Sequence, residues 1–224
     1  IFGAAVAPHA VAFAKAAPVT EKILFIPHDG RPISSKQTAD VVKKLGYDVV
    51  MPPEELLGSR EDWGHPDELW SWAEENAAQP GVKAAVISSD AMIYGSLVGS
   101  RKHSLTKEEV LARAARFDAL QRAFPKVPLY VFGSIMRTPR SGEASGHEEP
   151  EYYRRYGADI FRYTVLRDKG EVEGLTRRER KEYAFLERLI PQEALADWMG
   201  RRDKNYAVNA YMIDLLRKRG TFRY

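Results

Sequence analysis

The sequence predicts an α/β protein of parallel β-strands with covering helices. Three observations carry this. Short apolar runs without polar alternation, at 23–26, 84–87 and 129–132, have the pattern of strands buried on both faces. Strand and helix patterns alternate four times before a helix-rich segment at 151–219 and an incipient strand at 221–224. Polar residues end at least three of the strands, as a shared site at the carboxyl ends of a parallel sheet requires. This order suits the first half of a (β/α)8-like barrel carrying a helical insertion. An open, doubly wound Rossmann-like sheet is the alternative.

Residues 1–20 read as a leader. The stretch 1–17 is rich in Ala and Val and carries no acid, and Ala12-Phe13-Ala14 and Ala14-Lys15-Ala16 are A-x-A patterns. It reads as the remnant of a secretory signal peptide, with a disordered Ala-rich leader as the other reading. Pro8 and His9 interrupt it, so no stable membrane span is expected. The leader predicts an exported protein, whether periplasmic, envelope-bound or secreted. The rest, 21–224, reads as one α/β domain truncated at its C-terminal end.

The fold proper opens with a strand at 23–26, closed by Pro27, which cannot donate to a central ladder. His28, Asp29, Gly30, Arg31 and Pro32 form the loop after it. Asp29 and Arg31 are a polar pair at a strand end, or else parts of a local turn. Ser34 or Ser35 is placed to cap a helix with Val41, Val42 and Leu45 on its apolar side, stopped by Gly46. A second strand at 47–51 is closed by Pro52-Pro53. After a loop with Gly58 and Gly64, Leu69, Trp70, Trp72 and Ala73 suggest a short amphipathic helix. Its tryptophans read as packing in preference to a sugar-stacking surface.

The stretch 84–103 organises the chain. It opens as a buried strand and turns abruptly polar, with Asp90 where the strand is expected to end, followed by Tyr94, Ser100, Arg101 and His103. Asp90 is a candidate functional carboxylate; a turn cap bonded to its own backbone is the other reading. Thr106 and Glu109 form a capping box for a helix with Val110, Ala114, Phe117, Leu120 and Phe124 on one face. A fourth strand at 128–133 leads to Arg137, whose planar fork suits an anion or a salt bridge. Residues 141–150 read as a flexible connection. Helices follow at 151–167 and 176–189, and a last one ends at Gly220 with Arg201, Arg202 and Lys204 at its expected start.

Several chemistries are excluded or disfavoured. There is no cysteine, hence no disulfide, thiolate nucleophile or Cys-type zinc site. Net charge is only +3 with the basic residues dispersed among acids, which speaks against nucleic acid as a partner. No phosphate-loop glycine motif, no Gly-x-Ser-x-Gly elbow and no His-Glu-x-x-His motif occurs, and no cofactor or metal is expected. What remains is a hydrolase directed at a glycan or related envelope substrate. Asp29 and Asp90 are its catalytic candidates, and Arg31, Tyr94, Arg101 and Arg137 its substrate-binding candidates. The alternative is a non-catalytic envelope protein holding a sugar or an anionic ligand.

Five ordered motifs also resemble one bacterial family. They are Ile26-Pro27-His28-Asp29-Gly30-Arg31-Pro32, the Pro-Pro-x-x-Leu-Leu-Gly run from Pro52 to Gly58, and Ser89-Asp90 through Tyr94-Gly95 to Ser100-Arg101. Met136-Arg137-Thr138-Pro139 and the segment from Arg202 to Asn209 complete the set. The chain is similar over roughly 22–224 to the family catalogued as domain of unknown function 4127. The resemblance implies a further strand and paired aspartates beyond Tyr224, and it brings no activity with it.

Overall fold

The computed structural model describes residues 21–141 and 147–220. The expected leader at 1–20 and the expected strand at 221–224 lie outside the described residues, as do 142–146 of the connection.

Among the described residues four parallel strands form one sheet: β1 (Lys22–Ile26), β2 (Asp48–Val50), β3 (Val82–Ser88) and β4 (Leu129–Phe132), in the order β2-β1-β3-β4. β1 pairs with β3 from Ile23↔Ala84 to Ile26↔Ile87, and β3 pairs with β4 from Ala85↔Leu129 to Ser88↔Phe132. β1 thus lies between β2 and β3. In parallel α/β folds, barrel or doubly wound, ligands sit outside the carboxyl ends of the strands.

Helices α1 (Lys36–Lys43), α2 (Pro66–Ala77) and α5 (Lys107–Ala123) follow β1, β2 and β3, while the short α3 (Ser89–Tyr94) and α4 (Gly99–Lys102) fill the passage from β3 to α5. The capping box on α5 forms: Thr106 Oγ1 accepts from the Glu109 amide, and the Glu109 carboxylate accepts from the Thr106 amide. The expected face is buried, with Val110, Ala114 and Phe117 fully inaccessible. Trp70 is core, packed edge-on against Phe117 at 4.7 Å with its indole N–H donating to the Met92 carbonyl. Each fully buried Leu or Ile in this core, such as Leu24, Ile26, Leu69 and Ile87, contributes about 1.5–3 kcal/mol relative to exposure.

Beyond β4 the described chain is helical: α6 (Tyr153–Val172), α7 (Arg177–Leu189) and α8 (Gln192–Asp214), closed by a π-type turn at Leu215–Arg219. These helices build a second apolar cluster around Tyr153, Ile160, Leu166 and Trp198. α8 begins earlier than its sequence suggests, so Arg201, Arg202 and Lys204 lie inside it and not at its positive end. They are spent on tying α8 to the rest of the fold. Arg201 donates to the His103 carbonyl, Arg202 to the Met136 carbonyl and Thr138 Oγ1, and Lys204 to the Leu105 carbonyl. Among the described residues no helix is long and apolar enough to cross a membrane.

Candidate functional site at the carboxyl ends of β1 and β3

β1 runs directly into Pro27, His28 and Asp29, and β3 runs into α3 with no intervening loop. Ser88 ends β3 and caps α3, its hydroxyl accepting from the Ala91 amide at 3.4 Å. Asp90 therefore stands in the first turn of α3, and its side chain does not cap the backbone of its own turn. Its Oδ2 accepts from the Ser134 amide (2.9 Å), its Oδ1 from the Ser134 hydroxyl (3.0 Å), and Oδ2 lies 3.0 Å from Nδ1 of His28. Asp90 is buried, while the His28 side chain is 24% exposed. The same Nδ1 is 3.0 Å from Ser88 Oγ, and the imidazole stands edge-on to Phe132 at 4.8 Å. A carboxylate beside Nδ1 places the proton there, a tautomer inferred from the neighbours, and leaves the Nε2 lone pair free.

Close backbone approaches hold these loops. Gly133 passes so near Ser89 that a Cβ there would run into Ser89 Oγ. Gly58, Gly64 and Gly95 meet backbone to backbone, and the Gly30 amide donates to the Gly58 carbonyl at 2.8 Å. The Leu97 amide donates to the His28 carbonyl, linking the loop after β1 to the one after α3.

Asp29 is fully buried and gripped by its neighbour. Arg31 sends Nε to Oδ1 (3.0 Å) and Nη2 to Oδ2 (2.7 Å), and its amide also donates to Oδ1. This two-pronged pair aims the rest of the guanidinium outward. Four arginines then converge on Glu148. Its Oε1 lies 3.5 Å from Arg31 Nη1 and 3.2 Å from Arg60 Nε, and its Oε2 is 3.0 Å from both Arg101 Nη1 and Arg137 Nη2. Glu149 stands behind, with Oε1 at 3.0 Å from Arg137 Nε and 3.6 Å from Arg101 Nη1. Its Oε2 is buried and, among the described residues, has no hydrogen-bond partner. Burial pushes the Glu149 carboxyl up, against the opposing pull of Arg101 and Arg137.

The structure thus gathers Asp29, Arg31, Arg101 and Arg137 into one ionic cluster, with Asp90 and His28 adjoining it through the loop after β1. Tyr94 is not part of the cluster. It is buried, stacks on His103 at 4.7 Å, and burial raises its phenol well above the usual range. A cleft of about 980 Å³ lies on the far side of Ser134, between β4, α6 and α8, lined in part by Ser89, Met136, Asn205 and Asn209. It reaches the residue that holds Asp90, but its lining includes neither His28 nor the arginines. Among the described residues no group of three or more His, Asp or Glu is placed to hold a metal ion.

A family model described as Protein of unknown function (DUF4127) matches residues 23–224. The chain belongs to this family. No curated protein and no solved structure matches it. The chemistry of this family member therefore rests on its own side chains. Sequence reasoning had the three arginines and two aspartates but passed over His28, Arg60, Ser134, Glu148 and Glu149. His28 carried a signal, since it directly precedes Asp29 at a strand end. The Glu148-Glu149 pair lay in a stretch whose composition reads as a flexible connection.

Proposed function

We propose that this protein is a hydrolase whose general base is His28, acting on a glycan or related envelope substrate. The observation that supports it is the buried Asp90 carboxylate 3.0 Å from Nδ1 of a partly exposed imidazole. A carboxylate so placed fixes the ring and its tautomer and stabilises the imidazolium that forms when Nε2 takes a proton from water. Asp90 then acts as a positioning residue. Asp29 has a parallel role, holding Arg31 in place. A two-carboxylate glycosidase scheme needs one acid and one free base or nucleophile. Both carboxylates here have their oxygens engaged, which moves the proposed proton transfer from the aspartates to His28.

Arg31, Arg101 and Arg137 are the proposed substrate-binding groups, and the envelope substrate follows from the exported leader expected at 1–20. The second reading, a non-catalytic protein that holds an anionic ligand, draws on the same arginine cluster.

The test is a turnover screen on envelope glycans and their esters with the full-length protein, His28→Gln and Asp90→Asn. Removing a general base lowers kcat by roughly 10²–10⁴-fold. Asp90→Asn is expected to lower kcat and shift the pH profile while leaving the circular dichroism spectrum intact. Undiminished turnover in His28→Gln would sink the reading. Ligand binding without turnover in the parent protein would favour the second one.

A further inference from the structure

We propose that Glu148 is an internal occupant of an anion site formed by Arg31, Arg60, Arg101 and Arg137, and that the external ligand is a phosphate-type dianion. This rests on the hydrolase reading and deepens it by naming the group its substrate carries.

The four guanidiniums come from separate parts of the chain: the loop after β1, the loop before α2, α4, and the segment after β4. They meet on a single carboxylate with two guanidiniums at each oxygen. A simple salt bridge needs one arginine. Crowding four like charges is unfavourable unless an anion neutralises them, and each long side chain gives up rotamer freedom to be there. Counting the charges in contact, four arginines face Asp29, Glu148 and Glu149, a balance of 4 − 3 = +1. With Glu148 withdrawn the balance is 4 − 2 = +2, which a phosphate dianion cancels and a single carboxylate does not. A tetrahedral oxyanion also offers more acceptor positions than a carboxylate to four planar forks.

The burial gradient gives the ligand a way in. The Arg101 side chain is 8% exposed, while those of Arg137 and Arg60 are 45% and 61% exposed. The cage therefore has a buried floor and an open rim. Glu149 belongs to the floor, and among the described residues its buried Oε2 has no hydrogen-bond partner. A hydroxyl of the same ligand is a fitting donor to it.

Calorimetric titration with inorganic phosphate tests this, using the full-length protein, Glu148→Gln and Arg60→Gln. A site blocked by its own carboxylate about nine-tenths of the time binds about tenfold more weakly than an open one. Glu148→Gln is therefore expected to tighten phosphate binding about tenfold, and Arg60→Gln, at the exposed rim where folding is least at risk, to weaken it. If Glu148 were only a structural counter-ion, Glu148→Gln would lower the melting temperature and gain no phosphate affinity, and that result overturns the proposal. An unchanged affinity in Arg60→Gln overturns it as well. The titration involves no turnover. Tightened binding without His28-dependent activity would keep the anion site and discard the hydrolase reading. His28-dependent activity without phosphate binding would do the reverse.

Discussion

At the carboxyl end of the sheet a group of buried side chains is polar or charged: Asp29, Ser88, Asp90, Arg101 and Glu149. In the helical segment after β4 the buried side chains are mostly rings and aliphatics, with Thr164 and Asn205 the polar ones among the described residues. Tyr153 packs on Trp198 at 4.4 Å, Tyr163 stacks on Tyr183 at 4.7 Å, and Ile160, Leu166 and Leu186 fill the space around them. The two regions tolerate different errors. A buried charge network depends on position, because every unpaired oxygen or guanidinium left behind carries a desolvation cost. An aromatic cluster depends on volume, because its attraction is non-directional and scales with the area removed from water. α8 joins the two, since it sends Leu195 and Trp198 into the helical cluster and Val208 into the sheet core.

The largest expected effect tests the volume side. Trp198 is fully buried, and Trp198→Ala should destabilise the fold by about 3–5 kcal/mol in urea unfolding. Because α8 spans both cores, the loss should appear as one shifted transition. Two separate transitions would show that the regions unfold independently and that α8 does not couple them.

The next effect lies at the seam, where His103 sits beneath α8. The ring is buried, neither nitrogen has a hydrogen-bond partner among the described residues, and burial lowers its pKa to about 4, with Lys204, Arg201 and Arg113 adding to the shift. In the unfolded chain it titrates near 6.5. Between these values the unfolded state binds more protons, so this contribution is complete above pH 6.5 and is lost as pH falls towards 4. The full swing is up to about 3 kcal/mol. His103→Phe keeps the stack on Tyr94 and should flatten stability across that window while holding it at pH 7. A variant as acid-sensitive as the parent would assign the loss to carboxylates instead.

The smallest effect tests the position side. An alanine Cβ at Gly58 would lie 2.6 Å from the Gly95 carbonyl and 2.7 Å from the Gly64 amide. Both are backbone atoms, and moving them should cost about 1–3 kcal/mol by thermal unfolding. A neutral Gly58→Ala would mean that the loops at the sheet end yield more readily than their packing implies.

The helix and strand elements were largely legible because their signals are local. The Thr106–Glu109 box, the buried face of α5 and the left-handed Gly46 and Gly220 needed only neighbouring residues to be read. The start of α8 was missed: Pro191 precedes its first residue, but the basic run further on drew attention to its middle. Asp90 was found as a polar residue at a strand end, yet its placement in a helix with Ser134 and His28 as partners was not visible. Those partners lie 44 and 62 residues away in the chain.

The sequence by itself determined the parallel α/β class, the helical segment and the loops that carry charge, because apolar period, caps and strand-end polarity are properties of short windows. Tertiary structure alone decided that β1 lies between β2 and β3, that His28 meets Asp90, and that four arginines share Glu148. Each of these depends on where crossovers bring distant segments together. Coulombic and hydrogen-bond energies act over a few ångströms of space whatever the distance along the chain, so no local pattern encodes them.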